Sequence, residues 1–286
     1  MKPTLLLLGL LLTPMPGWAA STINLMNKFA YGPNLGWIDW RGDGANGAVI
    51  GQFVCKGFVY AANAGWINLG SGEPTNGVRY QNSSSNDFGI NHDGLGNLRG
   101  YAWGANIGWV CFETNGAPAI DLRTGRLSGS VWCANCGWIS LSNAVAGVQT
   151  DSLWPGLLDA NGLPIAWELL NFGTAGVDPN ADPDHDGLSN AQEYVAGTNP
   201  NDANSILRVT AASFGPDGIS TSLTWSSVPT RFYHLQKTSS LGSAPWSDSG
   251  LGLISPSGTF STSVNFTDTK APARFYRIEA VLPLTP

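Results

Sequence analysis

Four copies of one short pattern constrain this chain more than any other feature. Phe29-Ala30-Tyr31-Gly32-Pro33-Asn34-Leu35-Gly36-Trp37-Ile38 is matched by residues 58–67, 101–110 and 130–139. Each copy reads as an aromatic residue, three residues ending in Asn, one more residue, then Gly-Trp-Ile or Gly-Trp-Val. The glycines at 36, 65, 108 and 137 stand 29, 43 and 29 residues apart. Self-similarity of this kind marks a repeat architecture, and two equal steps around a longer one point to a duplicated pair of units.

Each copy reads as a β-hairpin. Small residues with Asn and Gly separate two aromatic or β-branched runs, and Asn and Gly tolerate the positive φ of tight turns. A third strand is expected before later hairpins, as in Ala119-Ile120-Asp121-Leu122, a turn at Arg123-Thr124-Gly125, then Leu127-Ser128-Gly129. The expectation is antiparallel meanders of two or three strands per unit. Period-two alternation assigns the faces. Ile38, Ile67, Val110 and Ile139 share one with Trp40, Leu69, Phe112 and Leu141, which reads as core. The opposite face carries Trp37, Trp66, Trp109 and Trp138 with Asp39, Asn68, Cys111 and Ser140. That mixture fits a half-wet surface whose rings stack on sugars or another protein. It also fits Trp ladders sealed between packed sheets, the plainer reading and the one expected.

The start of the chain sets the compartment. Met1-Lys2-Pro3, an apolar run from Leu5 to Leu12, and small residues ahead of Ser21 read as a secretory signal peptide. The run is too short to span a bilayer, and no later stretch is long enough. In an exported chain, cysteines are expected to pair. Cys133 and Cys136 replace Gly104 and Ile107 of the preceding copy, on either side of one turn, and read as a small-loop disulfide. A Cys55–Cys111 bridge is allowed by count, although Cys55 falls on an apolar face and Cys111 on a polar one. The three His residues lack metal-ligand spacing to any Cys, so zinc is not expected. A net charge of −6, a pI near 4.9 and the lack of a basic patch argue against nucleic acid.

Much of the acidity sits in Asp182-Pro183-Asp184-His185-Asp186-Gly187-Leu188-Ser189-Asn190-Ala191-Gln192-Glu193. Acidic residues at the first, third and fifth positions, Gly at the sixth, Asn at the ninth and Glu at the twelfth match an EF-hand-type calcium loop. Carboxylates on alternate residues of a tight loop point at one hard cation. Gly187 permits the turn, the Leu188 carbonyl adds an oxygen, and Glu193 closes the site. A weaker copy, residues 157–168, keeps Asp159, Asn161, Gly162 and Glu168 but has Leu157 at the first position and Ile165 at the ninth. Each loop leads into a short helix, 164–171 ending at Gly173 and 189–196 ending at Gly197.

Residues 182–200, preceded by Gly162-Leu163-Pro164-Ile165-Ala166-Trp167-Glu168, resemble the thrombospondin type 3-like and dockerin-like calcium repeats of exported bacterial proteins. The resemblance covers about residues 157–202. It implies calcium on Asp182, Asp184, Asp186, Leu188 (carbonyl), Asn190 and Glu193, with Asp178, Asn180, Asn199 and Asp202 as accessory ligands. The paired, near-identical repeats of a dockerin are absent, so no cohesin-type partner is implied.

The rest of the chain carries five β-like runs, at 207–210, 222–225, 232–235, 263–266 and 275–278, separated by turns. They fit a small β-sandwich, fibronectin type III-like in scale. Arg231-Phe232-Tyr233 and Arg274-Phe275-Tyr276 echo each other and are expected to lie on paired strands. No Gly-x-Ser-x-Gly elbow, phosphate loop, dinucleotide fingerprint or His-Glu-x-x-His occurs. His92 sits beside Asp93 in a polar turn.

These readings predict a mainly β protein: a signal peptide at 1–20, a Trp-rich repeat domain at 21–148, a calcium-binding linker at 149–205 and a β-sandwich at 206–286. The expected function is non-enzymatic, with calcium stiffening the joint of a secreted or cell-surface, adhesion-type protein. Its expected partner is an extracellular glycan or a surface protein. A carbohydrate-binding protein using the Trp face is the alternative, and a secreted glycan-active hydrolase the second.

Overall fold

The computed structural model describes residues 21–42, 44–241, 245–268 and 273–285, so the expected signal peptide lies outside it. The chain is mainly β, with two short helices between its two sets of sheets. Each sequence copy forms one hairpin. The first joins β1 (Ile23–Gly32) to β2 (Gly36–Asp39), and the second joins β3 (Phe58–Ala61) to β4 (Gly65–Asn68). After a short β5 (Ile90–His92), the third joins β6 (Leu98–Gly104) to β7 (Gly108–Cys111). β8 (Ala119–Ile120) and β9 (Leu127–Ser128) pair as a separate ribbon. The fourth hairpin joins β10 (Ser130–Cys133) to β11 (Gly137–Ser140), and β12 (Val148–Thr150) adds to the outer half of β1.

Neighbouring hairpins pair in turn, and β1 then pairs with β11, Tyr31 opposite Ser140. The eight hairpin strands therefore close into a barrel, a closure that the expected meanders of two or three strands per unit do not specify.

The turns explain the repeated Gly. Leu35, Ala64, Ile107 and Cys136 each donate a backbone N–H to the residue three before, at 3.0–3.2 Å, and the next residue is Gly at φ 75–80. This is a type I turn followed by a left-handed Gly. The repeated Asn has a different task from the one expected, because none of the four has a positive φ. Asn34 Nδ2 donates to the Cys136 carbonyl at 3.0 Å, Asn63 to Leu35 at 3.2 Å, Asn106 to Ala64 at 3.1 Å and Asn135 to Ile107 at 3.0 Å. Each hairpin tip is tied to its neighbour, and the four bonds run round the whole end of the barrel.

An eight-stranded barrel is just wide enough for its own side chains, so volumes must be matched. Gly32 is followed on the inner face by Leu35, and Gly104 by Ile107, whereas Ala61 is followed by Ala64 and Cys133 by Cys136. A Cβ on Gly104 would lie 2.7 Å from Ile107 Cγ1. The two cysteines are thus a medium-sized pair filling the interior. All four cysteines are free thiols, and the expected Cys133–Cys136 disulfide is not formed; the Cys133 thiol donates instead to the Ile107 carbonyl at 3.5 Å. Burial, with the Cys133 thiol alongside, pushes the Cys136 thiol up to about 12.

Trp40, Leu69, Phe112 and Leu141 are buried at the other end of the barrel, as their face predicts. The sealed Trp ladder is not found. Closure spends the inner face on the core and leaves no second sheet to cover the outer one.

After the joint come β13 (Val209–Phe214), β14 (Ser220–Ser226), β15 (Phe232–Thr238), β16 (Ser247–Ile254), β17 (Ser261–Thr267) and β18 (Phe275–Val281). They form two three-stranded sheets, β13-β14-β17 and β16-β15-β18, whose fully buried Trp225 and Tyr233 meet at 5.8 Å. The echoed Arg-Phe-Tyr motifs do lie on paired strands. The pairing is antiparallel, with Phe232 opposite Val281 and Thr238 opposite Phe275, so they mark opposite ends.

Candidate metal centre in the joint

Two helices follow the two loops of the joint, α1 (Ile165–Phe172) and α2 (Asn190–Ala196). Pro164 precedes α1 and Gly173 ends it at φ 70; the Gln192 side chain accepts the Ser189 N–H at the start of α2, and Gly197 ends it at φ 76. These caps satisfy helix-end groups that would otherwise lack partners. They also hold the twelfth residue of each loop, Glu168 and Glu193, in the first turn of its helix.

The second loop is shaped by its own carboxylates. Asp182 accepts the N–H groups of Asp186 at 3.2 Å and Gly187 at 3.0 Å; Asp184 also accepts Asp186 at 3.2 Å, and Asp186 accepts Leu188 at 2.7 Å. The turn needs His185 at φ 63 and Gly187 at φ 96. The result gathers one oxygen each from Asp182, Asp184 and Asp186 within 4.8 Å of one another.

What this folding leaves over is more telling. Asp184 Oδ2, Asp186 Oδ2, Asn190 Oδ1 and Glu193 Oε2 are buried and have no hydrogen-bond partner. Asn190 and Glu193 are 1% and 0% exposed. The Asn190 amide nitrogen donates to the Asp178 carbonyl at 2.8 Å, and Glu193 Oε1 accepts from the Thr198 hydroxyl at 3.1 Å, so each of these side chains is half satisfied. Burial, then the charges of Asp184, Asp186 and Asp182, push the Glu193 carboxyl up to about 7. A buried acceptor without a partner costs about 1–3 kcal/mol, and four share this one loop. They occupy its third, fifth, ninth and twelfth positions. A hard divalent cation would satisfy these oxygens and neutralise the charge together. Leu188, at the seventh position, directs its N–H back to Asp186.

The first loop repeats the plan in reduced form. Asp159 Oδ1 accepts from Asn161 at 2.9 Å and Leu163 at 3.0 Å, and its Oδ2 is buried and unpartnered. Glu168 is fully buried; its Oε1 accepts the N–H groups of Gly176 at 3.0 Å and Val177 at 2.9 Å, and its Oε2 is unpartnered. Burial raises the Glu168 pKa, and the Asp159 charge adds to the rise. Asn161 is exposed and its amide reaches the Val177 carbonyl at 3.3 Å, so it braces the loop from outside. The accessory positions are turn residues. Asp178, Asn199 and Asp202 accept backbone N–H groups from Asn180, Asn201 and Asn204 at 2.9–3.1 Å.

Helix α2 also fastens the joint to both sets of sheets. The Tyr194 hydroxyl donates to Gln52 Oε1 at 2.8 Å on the barrel side. On the other side, Arg231 donates to the carbonyls of Tyr194 at 2.6 Å and Val195 at 2.7 Å, a cation at a helix C-terminus. Sequence spacing does not signal either contact.

Elsewhere, Trp37, Trp66, Trp109 and Trp138 stand on the outside of the barrel, 42–47% exposed. Each packs against an aromatic residue across its hairpin: Tyr31 at 4.9 Å, Tyr60 at 5.0 Å, Trp103 at 4.7 Å and Trp132 at 5.1 Å. These partner rings stand at the aromatic position that opens the repeat pattern. His92 is buried and pinned at both ring nitrogens, to the Gly51 carbonyl at 2.9 Å and by the Gly96 N–H at 3.1 Å, and burial lowers its pKa. No protein-family model, curated protein or solved structure matches the chain, and the metal-centre reading stands on the donor geometry above.

Proposed function

We propose that this is an exported, non-enzymatic, modular protein whose joint is stiffened by calcium. The observation that carries this reading is the set of four buried, unpartnered oxygens on Asp184, Asp186, Asn190 and Glu193. Bound calcium would take these oxygens with those of Asp182 and the Leu188 carbonyl. It would fix the start of α2, and through Tyr194 and Arg231 it would fix the barrel relative to the C-terminal sheets. Extracellular modules bind calcium at about 10⁻⁴–10⁻³ M, which suits an exported chain. Limited proteolysis tests the idea: cleavage within 157–205 should be suppressed by calcium and restored by EGTA, with no such change in the barrel. Equal cleavage in both conditions would falsify it.

A second reading is favoured by the exposure of the four Trp residues: the outer wall of the barrel is an adhesive surface for glycans. The two readings are compatible, the joint holding the surface that the barrel presents. A glycan array with Trp37→Ala and Trp109→Ala checks the second; its loss leaves the calcium joint untouched.

A further inference from the structure

The four outward Trp residues are equivalent in sequence but not in surroundings. Trp37 and Trp66 each meet two rings and Trp138 meets one, whereas Trp109 meets three: Trp103 at 4.7 Å, Phe88 at 5.2 Å and Tyr101 at 6.1 Å. Phe88 is the added ring. It arrives on the longest of the three steps between repeats, where the chain makes an excursion before β6. Asp87 holds that excursion in shape by accepting the N–H groups of Thr75 at 3.2 Å and Gln81 at 3.0 Å, and Asn82 accepts Gly89 at 3.0 Å.

Between the excursion and the barrel wall lies a cleft of about 460 Å³, within the range of small-ligand sites. Phe88, Tyr101 and Trp109 line its apolar side. Asn82 and three consecutive serines, Ser83 to Ser85, line the other, and no lining residue is charged. Among the described residues, the three serine side chains are exposed and make no hydrogen bond within the protein. The nearby carboxylates are committed to backbone, Asp87 as above and Glu113 to the Gly100 N–H at 3.2 Å.

We propose that this cleft binds a short stretch of an uncharged oligosaccharide. The inference rests on the glycan reading of the outer wall and assigns it to one place. A pyranose presents an apolar C–H face and a rim of hydroxyls, which match a ring-lined wall facing free serine hydroxyls. No lining side chain offers a counter-charge to a charged ligand. A wholly apolar ligand would bury the serine hydroxyls without partners, at a cost. The aromatic band is not a membrane belt, because six of the eight barrel strands have four residues. Four residues rise about 13 Å, against an apolar band of about 25 Å in membrane barrels.

The test is titration of the full chain, in calcium, with cellohexaose, xylohexaose, mannohexaose and laminarihexaose, followed by tryptophan fluorescence and calorimetry. Saturable binding of at least one is expected. Trp109→Ala should weaken it about tenfold or more. A triple variant, Ser83→Ala with Ser84→Ala and Ser85→Ala, should weaken it several-fold, and Trp37→Ala should weaken it far less than Trp109→Ala does. The triple variant alters only exposed side chains, so it decides the matter even if Trp109→Ala fails to fold. Binding lost equally with Trp37→Ala keeps the general glycan surface and overturns this cleft. Wild-type binding by the triple serine variant, or preference for the acidic hyaluronan hexasaccharide, also overturns it. Binding of none of the four overturns both readings.

Discussion

Both loops of the joint carry a Gly at positive φ, lead into a helix closed by another such Gly, and bury a glutamate at the twelfth position. In the second loop that glutamate holds only the Thr198 hydroxyl, and three further side-chain oxygens stand unpartnered with it. In the first, Glu168 is taken up by the N–H groups of Gly176 and Val177, and only Asp159 shares its unpartnered state. Backbone N–H groups take up the twelfth-position glutamate in the first loop; in the second they reach the three aspartates and leave Glu193 to the Thr198 hydroxyl. Two loops of one design therefore differ in how many buried oxygens they leave for an outside partner, four against two.

The largest effect should come from emptying the second loop. Calcium at about 100 times its Kd adds about 2.7 kcal/mol to a protein that binds it only when folded. Asp184→Ala with Asp186→Ala should abolish that gain, read as the shift in Tm between calcium and EGTA. A double variant that still responds fully would mean the loops are not unequal in the way described.

Next in size is the effect of pH through Glu193. Its folded pKa, about 7, lies above the ordinary 4.5, so the ion-free fold holds this proton more tightly than the unfolded chain does. The contribution is complete below about pH 4.5 and is lost as pH rises through about 7. Calcium needs the carboxylate, so its increment should grow across the same window. Melting curves from about pH 5 to about pH 8 should show the ion-free Tm falling and the calcium increment rising. Glu193→Gln should flatten the first trend and remove most of the second.

Leu157→Asp asks whether the missing first ligand is what separates the loops. Leu157 is 47% exposed, so the change should cost within about 0.5 kcal/mol. Calorimetry should then count a second calcium ion at the first loop. An unchanged stoichiometry would put the difference in the commitments of Glu168 instead. The smallest effect on calcium binding is expected for Glu168→Gln, since a glutamine oxygen can still accept from Gly176 and Val177. Stability should move by within about 1 kcal/mol, with the calcium response nearly intact; a loss as large as that of Glu193→Gln would break the comparison.

What was legible beforehand follows the range of the interactions. The hairpins and the helix ends at Gly173 and Gly197 are local patterns, and each is in place. Alternation sorted Ile38 from Trp37 correctly. Which face would be covered depended on Tyr31 meeting Ser140, a contact between the first and last copies with no local signal. The repeated Asn was assigned to turn geometry because its real acceptor belongs to another hairpin. β16 escaped notice because Ser247-Asp248-Ser249-Gly250 reads as loop, and its place beside β15 is a tertiary effect. The commitment of Glu168 Oε1 depends on where residues 176 and 177 fold back, which spacing does not reveal.

The ring of Asn bonds has a consequence in time. Each hairpin can form within microseconds of leaving the ribosome. Asn34, however, waits for a carbonyl 102 residues further on. At ordinary rates of synthesis that is about 5–20 s. Until then β1 is an open edge with one ring-studded side, the kind of surface that recruits strands from other nascent chains. The last repeat completes the barrel and, with it, ends the interval in which this chain most needs shelter.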